Sequence, residues 1–305
     1  MIPAFSSIFD LLKAFPDEQS CINHLEALRW NGNIISPFDE TSKVYKCAGN
    51  KYKCKNTGKY FNVKTGTIFE DTKIPLQKWF MALYVFSSHK KGISSHQLAK
   101  DITVTQKSAW FMLHRLRYAF EHPAFREIMG NPIEIDESYF GGRDVNKHVK
   151  VREEQKAGRG MVNKAAVFGM LERGGNIQAQ VVTRVDGIGL KPLIYDAVPR
   201  GNRIISDGYG AYKDLNKDYK HDIIAHSQNK YFTKPDIHTN SIENFWSHMK
   251  RGIYGIYHHA SPKHLQRYAD EFALRYNTRK ATTQARFDFV LSNITRRLTY
   301  KDLIA

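Results

Sequence analysis

The chain has 305 residues, with 46 Lys plus Arg against 30 Asp plus Glu and a formal net charge of +16. Its 42% hydrophobic and 12% aromatic content excludes a disordered or collagen-like chain and supplies core for about two domains. The longest apolar run, Trp79 to Phe86, is eight residues, far short of the roughly 20 that cross a bilayer, so no membrane span is expected.

The opening MIPAFSSIFDLLKAF lacks a basic n-region, which is unlike a secretory signal. Cys21, Cys47 and Cys54 are the only cysteines and make no disulfide framework, as suits a reducing cytoplasm. A positive surplus in such a chain points to a polyanion, because neutralised phosphates release counterions and supply sequence-independent affinity.

Residues 1–72 are expected to form a small β-ribbon module. Val44, Tyr45, Tyr52, Tyr60, Phe61 and Val63 lie between Gly49-Asn50, Thr57-Gly58 and Thr65-Gly66, a pattern of short strands joined by tight turns. Over 73–125 the period becomes helical. Leu76, Trp79, Phe80, Leu83 and Tyr84 share a face after Pro75, Ser94-Ser95 are N-cap candidates for a second helix, and Gln106 to Phe120 makes a third after a short turn. Helix, turn and helix with exposed Gln106, Lys107, His114, Arg115 and Arg117 is the layout of a helix-turn-helix, whose second helix enters the major groove. An ordinary helical hairpin has the same spacing.

After Pro132 the pattern is α/β. IEIDESYF, KAAVFGMLE, NIQAQVV, RIISD and DIIAHS read as five strands, with a helix at about Gly189 to Ala197 and two more at Ser241–Lys250 and Pro262–Asn277. This order fits an RNase H-like sheet over 130–290, followed by a tail at 291–305. The stretch from Gly141 to Lys164 holds seven Lys or Arg against three acids and is read as a basic loop containing Arg143.

Three acids carry the chemistry. In Ile133-Glu-Ile135-Asp-Glu137 a period of two puts the isoleucines on one face and Glu134 and Asp136 on the other. Asp207 ends an apolar strand before Gly208-Tyr-Gly210. Both aspartates also fit turn initiation. Glu243 lies on a helix with apolar face Ile242, Phe245, Trp246 and Met249, with Asn240 one turn earlier on the same side. Two strand aspartates and a helix glutamate can share a pair of hard cations, and oxygen ligands favour Mg²⁺ or Mn²⁺ over zinc. Tyr139, Tyr209 and Tyr212 either stack on a base or pack against the sheet.

The strings IEIDESYFGGR, ISDGYGAYKDL, HTNSIENFWSHMKRGIYGIYHHASPKHLQRYADEFALRYNTR and KTGTIFEDTKIPLQKWFMALY resemble bacterial insertion-sequence transposases of the DDE class, in the group with an ISXO-like catalytic domain behind a zinc ribbon. The resemblance runs from about Leu28 to about Lys280. It implies that Asp136 and Asp207 are the first two metal ligands and that Glu243 or Asn240 is the third; the carboxylate of Glu243 is the better ligand for a hard cation. Lys250, two turns further along, resembles the residue that grips the transposon end, with Arg251 beside it. Implied partners are double-stranded DNA, as element end and as target, and further copies of the chain assembled on it. The implied location is cytoplasmic, at the nucleoid.

The ribbon departs from that pattern. Relatives of this kind carry Cys-Pro-x-Cys and Cys-x-x-Cys; this chain has Ser36-Pro37-Phe38-Asp39 and Cys54-Lys55-Asn56-Thr57. With one thiolate left, zinc is not expected, and packing of Phe38, Tyr45, Tyr52 and Phe61 is expected to replace it. Two rival readings remain. One is a catalytically inactive, transposase-derived DNA-binding protein; the other is a structure-selective nuclease of the same fold.

Overall fold

The computed structural model describes residues 4–121, 130, 132–141, 164–224 and 236–305. The basic stretch 142–163, with Arg143, lies outside the described residues. The chain divides into two compact units, Met1–His122 with Lys280–Ala305, and Pro123–Arg279.

In the first unit, α1 (Ile8–Ala14) and α2 (Glu18–Trp30) each start with a capping box, Ser7 with Asp10 and Asp17 with Ser20, so their first N–H groups are satisfied locally. Asn31, left-handed at φ 43°, ends α2. The strands β1 (Val44–Cys47), β2 (Lys51–Cys54) and β3 (Tyr60–Phe61) form an antiparallel three-stranded sheet. Gly49 and Asn50, at φ 70° and 56°, make the first reversal, where residues tolerant of positive φ are required. Trp30 of α2 meets Tyr52 edge-on at 5.3 Å, and Tyr52 meets Phe61 at 5.7 Å. Tyr52 and Phe61 are thus the ribbon's core. Tyr45 and Phe38, expected beside them, are 42% and 40% exposed; each has a lysine over its ring, and Phe38 also meets Phe61 edge-on at 6.3 Å.

Helices α3 (Leu76–Ser88), α4 (Ser95–Asp101) and α5 (Gln106–Ala119) follow. Ser94 and Thr105 cap α4 and α5 by accepting from Gln97 and Ser108 N–H. Thr103 turns the chain between them at φ 53°.

The C-terminal residues correct the sequence reading. Residues 291–305 are not a tail: α9 (Thr283–Ser292) and α10 (Tyr300–Ile304) belong to the first unit. Phe287 packs edge-on against Phe5 and Phe80, which also meets Phe15, and Leu291, Leu298 and Leu303 are buried. The helix of 283–292 has too weak an apolar stripe to reveal from spacing alone which core it joins.

The second unit is a five-stranded sheet in the order β6-β5-β4-β7-β8. It is built from β4 (Ile133–Phe140), β5 (Ala165–Glu172), β6 (Ile177–Val182), β7 (Arg203–Asp207) and β8 (Lys220–Ile224). β4, β5 and β6 pair antiparallel, whereas β4, β7 and β8 run parallel. Alternation splits the core across the sheet. Ile133, Ile135, Phe168 and Met170 pack with Leu190 and Ile194 of α6 (Gly187–Ala197). Val167 and Leu171 pack on the opposite face with Ile242, Phe245, Trp246 and Met249 of α7 (Asn240–Gly252), and with Leu265, Ala269 and Phe272 of α8 (Pro262–Asn277).

Candidate active site

Because Ile133 and Ile135 face α6, Glu134 and Asp136 project toward α7. Asp136 Oδ2 accepts from Trp246 Nε1 at 3.0 Å. The strand opposite makes room for that indole: Asp136 pairs with Gly169, and a Cβ at Gly169 would fall 2.6 Å from Trp246 Cζ2. Trp246 is therefore core, as its spacing suggested, and also the group that orients Asp136.

Asp207 ends β7, the parallel neighbour of β4. Their register pairs Ile133 with Ile204 and Glu134 with Ile205; continued by two residues, it sets Asp207 level with Asp136. Asp207 Oδ1 accepts from Tyr209 N–H at 3.0 Å. Glu243, in the first turn of α7, accepts from Thr239 Oγ1 at 2.8 Å. Burial pushes the Asp136 carboxyl up to about 6, with the charges of Asp207 and Glu243 adding to the rise. The three acids thus share one electrostatic environment. Asn240, at the start of α7, is exposed, as is Glu243.

Two further carboxylates belong to the same unit. Glu137 faces the α6 side and accepts from Tyr212 Oη; burial, then Asp136 and Asp207, raise its carboxyl to about 7, against the lowering hydrogen bond from Tyr212. Tyr212 is accordingly a buried partner of Glu137, while Tyr209 is 42% exposed. Glu134 is fully buried and accepts from Arg173 Nε at 2.8 Å, from Ser241 N–H and Ile242 N–H at 2.9 Å each, and from Ser241 Oγ at 3.0 Å. Sequence spacing put Glu134 on the correct face but gave it no task. Its partners come from positions about 40 and 107 residues away, and no local pattern encodes them.

Hard oxygen donors and unrelieved negative charge suit a divalent cation. Among the described residues no group of three or more His, Cys, Asp or Glu side chains is gathered tightly enough to hold an ion.

In the ribbon, Ser36 and Asp39 form an isolated bridge, and Asn56 Nδ2 donates to Asp39 Oδ2 at 2.8 Å. Burial pushes the Cys54 thiol up, but hydrogen bonds with Ser36, Ser42 and Thr57 outweigh it and bring it down to about 6. Hydroxyls occupy the surroundings of the remaining thiol.

The expected DNA-facing residues of α5 separate into two groups. Gln106 and Lys107 are exposed at its N-terminus. His114, Arg115 and Arg117 are not exposed, contrary to expectation: they are 0%, 6% and 1% accessible. The second half of α5 is buried except at Tyr118, and Arg115 and Arg117 are accommodated by acceptors and rings. Arg115 donates to the carbonyls of Leu298, Ile68 and Glu70 at 2.8 to 3.0 Å, and Arg117 lies 5.5 Å from the centre of the Phe86 ring. In the second unit, Lys250 is half-buried and Arg251 exposed in the last turn of α7.

Residues 128–277 match the ISXO2-like transposase domain. A Halobacterium salinarum protein described as an uncharacterized protein in transposable element ISH50 is 28% identical over 280 residues, which cover 87% of this chain and 92% of that protein. No solved structure matches, and no helix among the described residues is long and apolar enough to cross a membrane. Residues 128–277 thus resemble the ISXO2-like transposase domain, and the similarity of most of the chain to a protein of a transposable element supports an insertion-sequence transposase.

Proposed function

We propose that the chain binds the terminal inverted repeats of an insertion sequence and catalyses divalent-metal-dependent cleavage and joining of DNA strands. The observation that carries this reading is the coupling of Asp136 on β4 to Asp207 on the adjacent parallel strand and to Glu243 on α7. The sheet order, three antiparallel strands continued by two parallel ones, supports an RNase H-like domain.

Asp136, Asp207 and Glu243 would hold Mg²⁺ or Mn²⁺, with Asn240 the alternative third ligand. When bound, such cations lower the pKa of the attacking water and neutralise charge on the phosphate being displaced. Trp246 N–H, Tyr209 N–H and Thr239 hydroxyl orient the three carboxylates before substrate arrives, which limits reorganisation during the reaction. Water attacks a phosphodiester at the element end and frees a 3′-hydroxyl; that hydroxyl then attacks a target phosphodiester. Each in-line step exchanges one P–O bond for another, without a covalent protein intermediate.

Gln106 and Lys107 at the start of α5 are suited to base or phosphate contact in the major groove. The ribbon adds seven lysines and no acid between Lys43 and Lys64, with Tyr45 and Tyr60 exposed among them. Lys250 and Arg251 flank the third acid on its own helix. Element ends and target are both duplex DNA at the nucleoid, and joining two ends calls for two or more copies of the chain on DNA.

Asp136→Ala is expected to keep end binding in a gel-shift assay and to lose cleavage and joining by at least 100-fold; an Asp136→Ala protein that joins strands normally contradicts the assignment. The hydroxyls around Cys54 favour a second reading, a DNA-binding remnant without catalysis. A wild-type protein that shifts end DNA but never nicks it in Mg²⁺ or Mn²⁺ would establish that reading.

A further inference from the structure

We propose that Glu134 and Arg173 form a clamp that positions the third acid of the site. Glu134 acts through helix α7 rather than by touching substrate or metal, and the proposal rests on the acid-site reading above.

The start of α7 is capped from outside its own segment. An N-cap side chain normally accepts from the N–H groups two or three residues on. Thr239 occupies that position but makes no capping bond; its hydroxyl is committed to Glu243. The N–H groups of Ser241 and Ile242 are satisfied instead by Glu134 Oε2, both at 2.9 Å. Negative charge at a helix N-terminus is favourable in itself. Here it also ties α7 to the strand that carries Asp136, two residues further along the same face.

Arg173, in the turn after β5, completes the clamp. Its Nε reaches Glu134 Oε1, while its other nitrogens reach the carbonyls of Asp236 and His238 at 2.7 and 2.8 Å. The approach to α7 and the first turn of α7 are therefore held by one ion pair whose carboxylate is fully buried. Four hydrogen bonds leave that carboxylate no capacity to serve as a metal ligand itself. The consequence is that the placement of Glu243 and Asn240 relative to Asp136 is set before any cation or DNA binds.

The test is Mn²⁺ binding to the full-length protein, followed by the loss of the free-ion electron paramagnetic resonance signal, with melting recorded in parallel. Glu134→Gln keeps the shape and one acceptor but loses the charge. Arg173→Lys keeps the charge but cannot span to both carbonyls. Glu134→Gln is expected to weaken Mn²⁺ by about 10- to 100-fold, the usual effect of removing a partner that orients ligands, and Arg173→Lys by several-fold. Amide exchange at Ser241 and Ile242 should rise at least tenfold in both. A residue that only supported the fold would lower the melting temperature and leave Mn²⁺ affinity unchanged; unchanged affinity in either folded variant overturns the proposal, and if Glu134→Gln does not fold, Arg173→Lys decides. Asp207→Asn separates the two layers of inference. It should abolish Mn²⁺ binding, and wild-type affinity in Asp207→Asn would refute the acid site itself, while amide exchange would still report whether Glu134 holds α7.

Discussion

Asp136 shows how a few atoms around one carboxylate set its properties. A methyl group at Gly169 would meet Trp246 Cζ2 at 2.6 Å and Cη2 at 2.9 Å, so Gly169→Ala must displace the indole that donates to Asp136. Overpacking of this kind costs about 1–3 kcal/mol; we expect a lower melting temperature together with weakened Mn²⁺ binding, whereas normal Mn²⁺ affinity would show that the indole does not orient Asp136. Asp136 also makes stability depend on pH. Its folded carboxyl is raised to about 6 from an ordinary value of 3.8, so its contribution is fully present below pH 4 and is lost as pH rises through 6. Asp136→Asn removes that loss. Relative to wild type it should gain on the order of 2 kcal/mol between pH 4.5 and 7.5 in metal-free denaturant titrations; a difference that is flat with pH would contradict the burial of the charged form. The acids stand out in the sequence as candidates, because a carboxylate in an apolar strand needs a reason. Glu134 does not, since its function is a cap on a helix more than a hundred residues later. Arg115 and Arg117 depart from the exposure that sequence charge implies, because carbonyl acceptors and the rings of Phe111 and Phe86 make burial tolerable.

At the level of elements, the strands and helices of the second unit follow from their pattern. β4 alternates isoleucine with acid, and Ile133 and Ile135 do lie in the core beneath α6. The helix read from Ser241 to Lys250 proved to be Asn240–Gly252. Pairing order could not be read from any one strand, because it depends on which neighbours bury which face. The ribbon presents the reverse case. Its strands are visible in the sequence, but the burial of Tyr52 and Phe61 while Tyr45 and Phe38 stay partly exposed depends on α2, whose Trp30 packs against Tyr52 and Phe61. Its bridge at Ser36 and Asp39 and the hydroxyls on Cys54 make a testable point about metal. The purified protein is expected to contain no stoichiometric zinc by elemental analysis, and one tightly bound equivalent would overturn the reading of this ribbon as metal-free.

For the whole chain, the surplus of +16 is better resolved than composition allowed. Among the described residues part of it lies on a lysine-rich ribbon, the exposed start of α5 and the end of α7, while Arg115 and Arg173 donate to internal acceptors and Arg117 is buried over the Phe86 ring. The two ends of the chain meet in one unit, which spacing could not disclose since Phe5 and Phe287 are far apart in sequence. Deleting residues 280–305 removes Phe287, Val290, Leu291, Leu298 and Leu303 from that core. At about 2 kcal/mol for each buried side chain, the loss is comparable with the whole stability of a domain. The truncated protein should therefore show rapid proteolysis within residues 4–121, and unchanged protection there would contradict this division of the chain. The central claim, that the three acids support cutting and joining of DNA, is tested most directly by incubating the wild-type protein with element-end DNA, a target plasmid and Mg²⁺ and resolving the products. The account predicts joined end–target strands that require the metal and vanish in Asp207→Asn; nicked ends that are never joined, or bound ends that are never cut, would contradict it.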